Sequence, residues 1–349
     1  MKKSMRWVFI AMLSIVVVFS FSVAGCKQPA PVEETTTTEA VATEATTSAE
    51  ETKAETEKFV VAMVPPALVS PYFIECADAA KKAAANYENI EFSVLAPSDE
   101  TKVDEQVKIL EDLLQKQVNL ILISSGNWEA VAPTLKKAID SGIEVAIFNQ
   151  LSDVPVLENL GLVSAVGVDE VEGGTVAGKW VAEVLNGKGN IAILEGVAGD
   201  YWTVRTGKGI DTALADYPDI KIVARQPGNW ERAKGMEVAE NILQANKAMD
   251  LICAMNDNMA LGAAQAVENA GRRNEIKISG YNGNVEALEA ITAGKMDATV
   301  NKQPSNVGKT LIEEIAVKLM EGKKGEIEPI MRIIPALITA DNVNDFLKK

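Results

Sequence analysis

The feature that most limits the fold is an alternation of short apolar runs with longer amphipathic segments, which begins at residue 59. Phe59–Val64 is a continuous apolar run ended by Pro65, as expected for a strand that is buried on both faces. Ser70 followed by Pro71 is typical of a helix start, with a capping residue and then proline at the first helical position. Strands joined through helices predict parallel sheets with right-handed crossovers.

The same pattern continues through the rest of the chain and predicts about ten strands, counted along the sequence. Further strands are expected at 92–95, 120–123, 145–148, 165–168, 191–194, 220–223, 251–254 and 276–279. Helices are expected at 103–115, 131–139, 174–185, 206–215, 233–244, 260–270 and 285–293, with a long closing helix at 305–320. So many strands exceed one comfortable open sheet, and the sequence therefore predicts an α/β protein of two doubly wound parallel-sheet lobes.

The composition excludes or disfavours several classes of functional site. The chain of 349 residues has a formal net charge of −15, which disfavours a nucleic-acid-binding face. It contains no histidine, so Ser-His-Asp and Cys-His catalytic arrangements and histidine zinc sites are excluded. The cysteines Cys76 and Cys253 fall in different predicted lobes, and we expect both to be buried free thiols. No cofactor is expected.

The first 58 residues are typical of an export signal and a tether. A basic start precedes an apolar run at 7–23, and residues 23–26 read Val-Ala-Gly-Cys. This ending resembles a bacterial lipobox, which implies a signal peptide at 1–25 and acylation of Cys26. The Thr- and Glu-rich stretch that follows to residue 58 has the composition of a disordered tether. The alternative, a plain transmembrane anchor, is disfavoured because only Lys27 follows the apolar run.

The loops after the predicted strands are rich in amides and aromatic rings. Because ligands of doubly wound sheets bind beyond the carboxyl ends of the strands, these loops are the candidate site. Amide groups both donate and accept hydrogen bonds, as sugar hydroxyls do, and rings cover the apolar faces of a sugar. Any single Asn or Asp here is better explained as a turn former or helix cap. The joint occurrence of these residues on one side of both sheets carries the prediction.

These loops resemble the periplasmic ribose-binding protein family, the type I solute-binding proteins of sugar ABC importers, over residues 59 to the C-terminus. The most specific stretches are Ser70-Pro71-Tyr72-Phe73, Asp169 through Gly174 to Gly178, Asn256 to Gly262, Gly280-Tyr281-Asn282-Gly283 and Gln303-Pro304. The resemblance implies two lobes joined by a three-crossover hinge. Residues 59–168 and 303–332 would form the N-terminal lobe, and 169–302 and 333–349 the C-terminal lobe. The closed form would dock on an ABC transporter permease.

Carried over by this resemblance, the aromatic platform falls on Tyr72, Phe73 and Trp230. Polar contacts fall on Ser70, Asn149, Gln150, Asn256, Asn282 and Lys302, with Arg205 or Thr206 in place of a family arginine. Trp202 and Gln303, in the same loops, complete the predicted ligand-binding set.

Four residues depart from the ribose-binding pattern: Asn149-Gln150 replaces Asp-Arg, Asn282 replaces Asp, and Lys302 replaces Gln. An amide-rich site argues against ribose because hydrogen bonds to charged groups are the stronger ones. The hypothesis is a different neutral sugar or polyol, or an acidic sugar paired with Lys302 or Arg205.

Other function classes remain as alternatives. An enzyme on the same fold would use Asp257 and Glu231 as acid and base, but no activated nucleophile, phosphate-cradling loop or metal cluster is evident in the sequence. Asp257 is better explained as a helix cap. A regulator of the lactose-repressor type shares this core but would carry a DNA-binding head. A lipoprotein that reports ligand to a membrane receptor, or a binder of a non-sugar solute, also fits. The expectation is an extracytoplasmic monomer that contacts the membrane through its lipid anchor only.

Overall fold

The computed structural model describes residues 58–151 and 159–347. The predicted signal peptide, the lipidated Cys26 and nearly all of the predicted tether therefore lie outside the described residues. Within the described part of the chain, no helix has the length and apolar character needed to cross a membrane.

The strands form two six-stranded sheets. The first contains β1 (Phe59–Val64), β2 (Ile90–Val94), β3 (Leu120–Ile123), β4 (Glu144–Phe148), β5 (Ser164–Gly167) and β11 (Ile330–Arg332). The second contains β6 (Lys188–Glu195), β7 (Asp219–Pro227), β8 (Leu251–Ala254), β9 (Lys277–Asn282), β10 (Ala298–Asn301) and β12 (Ala336–Thr339). Their orders are β11-β5-β4-β3-β1-β2 and β12-β10-β9-β8-β6-β7. Every pairing is parallel except that of β10 with β12, which confirms the predicted fold class.

Helices connect the strands in both sheets. They are α1 (Pro71–Ala84), α2 (Val103–Lys116), α3 (Trp128–Asp140), α4 (Glu170–Val184), α5 (Tyr201–Leu214), α6 (Arg232–Ala245), α7 (Asp257–Asn269), α8 (Val285–Thr292), α9 (Pro304–Thr310), α10 (Val317–Met320) and α11 (Asn344–Leu347). A π-helical segment, Leu311–Ala316, joins α9 to α10, and a 3-10 turn lies at Lys324–Glu326. The predicted helix at 305–320 is thus present, but its central segment, Leu311–Ala316, is π-helical.

The chain passes between the two sheets three times: from β5 to α4, from β10 to α9, and from β11 to β12. The predicted lobe boundaries at residues 168, 302 and 332 fall in these connections. The helix at 305–320 does not close the chain, because β11, β12 and α11 follow it. The strands β11 and β12 cannot be predicted from hydrophobic periodicity because they are short and only partly buried.

Apolar clusters lie on both sides of each sheet. Two clusters cover the two faces of the first sheet, and one large cluster surrounds the second. Cys76 belongs to a cluster of the first sheet and Cys253 to that of the second. Both cysteines are buried and free, as predicted.

Asp257 does not have the predicted capping role. The N-cap of α7 is Asn256, whose side-chain oxygen accepts from the Met259 N–H at 2.8 Å. The Asp257 carboxylate instead accepts from the Thr299 hydroxyl at 2.6 Å and from the Asn284 N–H at 2.7 Å. It therefore ties the start of α7 to β10 and to the loop that precedes α8.

Candidate functional site

A cavity lies where the carboxyl ends of strands from both sheets meet. The predicted residues that line it are Ser70, Tyr72, Phe73, Asn149, Trp202, Thr206, Trp230, Asn256, Asn282 and Lys302. Glu100, Glu170, Met255 and Tyr281 also line it and were not predicted.

The two lobes touch across this cavity through the start of α5. The Trp202 indole N–H donates to the main-chain oxygen of Asn149 at 3.3 Å. The Tyr201 N–H donates to the Gly126 oxygen at 3.4 Å, and the Trp202 ring lies 6.0 Å from the Phe73 ring. Asn149, Gly126 and Phe73 follow or belong to elements of the first sheet, so the cleft is closed in this structure.

Aromatic side chains of α1 form one wall of the cavity. Tyr72 and Phe73 follow the helix start predicted at Ser70-Pro71, and their rings pack edge to face with centroids 5.3 Å apart. Phe73 continues this packing onto Phe148 at the end of β4. Burial raises the pKa of Tyr72 well above its usual value of 10.0, so its hydroxyl stays neutral and remains able to donate a hydrogen bond.

Trp230 forms a second wall and is held from three sides. Its indole N–H donates to the Asp200 carboxylate at 2.9 Å, and its main-chain oxygen accepts from the Asn256 side-chain amide at 3.0 Å. Gly196 lies directly beneath the ring, where a Cβ atom would stand 1.8 Å from Trp230 Cζ2. The backbone of Trp230 has φ +68°, which is unusual for a residue with a side chain. The surrounding contacts fix that conformation and aim the ring.

A buried ion pair forms the floor of the cavity. Glu170, the first residue of α4, is completely buried, and its carboxylate accepts from Lys302 Nζ at 2.5 Å. It also accepts from the Tyr281 hydroxyl at 2.8 Å. Burial, followed by the negative charge of Glu170, raises the pKa of Tyr281 well above 10.0. Lys302 Nζ additionally lies 4.9 Å from the centre of the Tyr72 ring, within the range of a cation–π contact.

A cluster of carboxyl groups stands beside the cavity. Glu100, on the loop between β2 and α2, lines the cavity from the first lobe. Burial, and then the carboxyls of Asp200, Asp99 and Glu231, raise the pKa of Glu100 to about 8. Burial also raises the pKa of Asp200. Since Asp200 and Glu231 belong to the second lobe, closure brings acidic groups of opposite lobes together.

Some buried polar atoms at the cavity have no hydrogen-bond partner among the described residues. They include the Tyr72 hydroxyl and the side-chain oxygen Oδ1 of Asn149, both on cavity-lining residues. An unpaired buried polar group is costly, so such groups point to a partner supplied by a ligand. One group is a donor and acceptor and the other an acceptor, and a hydroxylated solute satisfies both.

Three predicted residues do not line the cavity. Gln150 is completely buried, and its backbone lies close to Gly167. The Arg205 guanidinium lies 5.5 Å from the centre of the Tyr201 ring. The Gln303 side-chain amide donates to the Ile334 oxygen at 2.9 Å, which links two of the connections between the sheets.

The lining residues that were not predicted differ in how clearly the sequence indicates them. Tyr281 directly precedes Asn282 at the end of β9, so the strand-end rule pointed to its neighbourhood. Glu170 has the sequence signature of an ordinary acidic residue in the first turn of a helix, which masks any role in a site. Glu100 lies in a polar loop with no distinguishing motif.

Comparison with known proteins agrees with this geometry. A sequence profile described as a periplasmic binding protein domain matches residues 61–324. The chain belongs to this family. The resemblance predicted from the loop residues is thereby confirmed at the level of the family.

Named relatives of this periplasmic binding protein bind sugars and polyols. The ribose import binding protein of Bacillus subtilis is 31% identical over 268 residues, which cover 77% of this chain and 84% of that protein. A solute-binding protein of an ABC transporter from Actinobacillus succinogenes, solved with D-allose, has a TM-score of 0.77 and 34% identity, covering 82% of this chain and 100% of that one. A protein from Bacillus halodurans, solved with myo-inositol, has a TM-score of 0.76 and 25% identity, covering 84% and 99%.

Proposed function

We propose that this protein is an extracytoplasmic solute-binding protein that captures a small sugar or polyol between its lobes and delivers it to an ABC import permease. The observation that carries the proposal is the cavity between the lobes at the strand ends, with aromatic walls and unpartnered polar atoms. The names of its relatives, which bind ribose, D-allose or myo-inositol, support the same class of ligand.

Ligand capture follows from the geometry of the cleft. Tyr72 and Phe73 of the first lobe and Trp230 of the second present ring surfaces to the same cavity. A solute that contacts both walls binds the closed form more tightly than the open form and so shifts the equilibrium toward closure. The closed form presents a surface composed of both lobes, and a permease that recognises this surface distinguishes loaded from empty protein.

The membrane attachment is proposed from the sequence. Cleavage before Cys26 and acylation of that cysteine would place two or more acyl chains on the protein, which is sufficient for stable anchoring. Labelling with radioactive palmitate tests the anchor. The full chain is expected to take up label, and Cys26→Ala to take up none; label retained by the variant would contradict the proposal.

Binding is tested by calorimetry with D-ribose, D-allose, D-glucose, D-galactose, myo-inositol and xylitol. At least one of these solutes is expected to bind, and Trp230→Ala should weaken it about tenfold or more because buried aromatic residues dominate such interfaces. Trp180→Phe is the matched control, because Trp180 packs in the core of the second lobe and does not line the cavity. Failure of every solute to bind, or an unchanged affinity in Trp230→Ala, would refute the proposal.

Delivery to a permease is separated from receptor signalling by reconstitution. The loaded protein is expected to stimulate ATP hydrolysis by its importer in vesicles, whereas the protein without solute should not. Stimulation of a membrane receptor with no effect on an importer would favour the sensing alternative.

A further inference from the structure

The cation in the candidate site already has a counter-ion. Lys302 Nζ lies 2.5 Å from a Glu170 oxygen, and the two side chains are 4% and 0% exposed. Lys302 is the one positively charged side chain among the described residues that line the cavity. The sequence left open an acidic sugar paired with this lysine, and the structure places a carboxylate of the protein where the acid of such a sugar would bind.

Glu170 is held rigidly in that position. Lys302 donates to Oε1 of Glu170, and the Tyr281 hydroxyl donates to the other carboxylate oxygen, Oε2, at 2.8 Å. The Thr206 hydroxyl donates to the same oxygen at 3.5 Å. Asp169 caps α4 at the preceding position, accepting from the Val171 N–H at 3.0 Å. A carboxylate fixed by these contacts cannot swing aside to give its lysine to a ligand without leaving buried groups unpaired.

Resting on the proposed function, we propose that Glu170 is the residue that makes this site select uncharged sugars or polyols and reject sugar acids, because it neutralises Lys302. An ammonium group has three donors, and Glu170 occupies one of them. The remaining donors are available to ligand hydroxyls. Lys302 thus serves as a hydrogen-bond donor whose charge is balanced within the protein.

A sugar carboxylate meets an unfavourable balance in this cavity. Its attraction to Lys302 is offset by repulsion from Glu170, because the two side chains are in direct contact. Glu100, a second carboxyl group on the cavity wall, adds no attraction. The carboxylate would also lose its hydration on entering, and a lysine that is already paired compensates that loss only in part. An uncharged hydroxymethyl group at the same position loses far less.

The test compares solutes that share one ring and differ in charge. D-glucose, D-glucuronate and D-glucosamine form one set, and D-galactose, D-galacturonate and D-galactosamine form a second. Calorimetry at pH 7 gives the ratio of dissociation constants for the acid and the neutral sugar. The wild-type full chain is expected to favour a neutral member at least tenfold over its acid.

Glu170→Gln keeps the size of the side chain and removes its charge, so Lys302 becomes an uncompensated cation. We expect the acid-to-neutral ratio to move toward the acid by tenfold or more. The double variant Glu170→Gln/Lys302→Gln removes both charges and should return the ratio toward that of the wild type. A residue with a merely structural role would weaken all solutes alike and leave the ratio unchanged.

The outcomes separate the two proposals. A wild-type protein that binds an acid or an amino sugar as tightly as the neutral sugar would overturn the role of Glu170 and leave solute binding intact. An unchanged ratio in a folded Glu170→Gln variant would do the same. If that variant does not fold, the wild-type ratios and the double variant still decide. Absence of binding by every solute of this and the previous panel would overturn the proposed function, and this inference with it.

Discussion

Gly196→Ala tests whether the position of the Trp230 ring determines ligand affinity. Gly196 directly follows β6, and a Cβ atom there would lie 1.8, 2.1 and 2.2 Å from three atoms of the Trp230 ring system. Carbon atoms make favourable contact at about 3.5–4.0 Å, so the indole must move by roughly 2 Å. Both residues belong to the second lobe, so the clash exists whether the cleft is open or closed.

The displacement has two costs that can be estimated. A shift of this size breaks the hydrogen bond from the Trp230 indole to Asp200, now 2.9 Å long, and such bonds to charged groups contribute about 1.5–3 kcal/mol. Overpacking of well-filled sites typically costs about 1–3 kcal/mol. Taken together, the two costs predict that the free energy of unfolding falls by about 2.5–6 kcal/mol. The dissociation constant should rise about tenfold or more, equivalent to about 1.4 kcal/mol.

Chemical denaturation and calorimetry with the tightest-binding solute measure these two quantities. Gly325→Ala is the matched control, because a Cβ atom at Gly325 meets no other atom within 4 Å. It should leave both quantities near wild type. A Gly196→Ala protein that is folded and binds with unchanged affinity would show that the Trp230 ring does not contact the ligand, and the proposed platform would be wrong.

Three further predictions concern other parts of the molecule. Tyr72→Phe removes a buried hydroxyl that has no partner among the described residues, so thermal unfolding should show equal or higher stability. Calorimetry should show that the binding free energy is weaker by about 0.5–1.5 kcal/mol. An equal affinity would mean that the hydroxyl does not contact the ligand. The pKa of Glu100 is raised to about 8, first by burial, so its protonated form is favoured in the folded, closed protein. The stability that this group contributes is therefore present below its ordinary pKa of 4.5 and lost as pH rises through about 8, and Glu100→Gln should flatten that part of a stability-against-pH curve; an unaltered curve would contradict the assignment. Gly308→Ala would place a Cβ atom 2.1 Å from the Cys76 main-chain oxygen, between α9 and α1. Chemical denaturation should therefore show that the free energy of unfolding falls by about 1–3 kcal/mol. An undiminished free energy of unfolding would contradict this packing.

The fold was predictable because its central strands are buried on both faces. A run such as Leu120–Ile123 has few environments other than the middle of a parallel sheet, and all four of its residues are buried. The strand β10 was missed because Ala298–Asn301 contains polar residues that are buried only through contacts from elsewhere in the chain, such as that of Thr299 with Asp257. Periodicity does not reveal tertiary contacts of that kind.

The site was predictable to the extent that it follows strand ends. Asn149 follows β4, Asn256 follows β8, and Asn282 ends β9, so the topology places each side chain at the binding edge of its sheet, and the facing of the two sheets brings them to one cavity. The cap and site interpretations are compatible for Asn256, because its oxygen caps α7 while its amide group supports Trp230. Glu170 was missed because its role depends on Lys302, a residue 132 positions later in the chain.

The position of the ion pair has a consequence for how ligand binding and closure are coupled. Glu170 lies just after the first connection between the lobes and Lys302 lies in the second, so the pair sits next to the hinge. Arg332, at the third connection, lies 3.5 Å from the carboxylate of Asp169, the cap of α4. Rotation about a hinge moves nearby atoms least, and we therefore expect the pair to persist when the cleft opens. The contact between Trp202 and Asn149 crosses the cleft between the lobes and must break on opening. A ligand thus meets a preformed floor at the hinge, and its preference for the closed form arises from the walls that close over it.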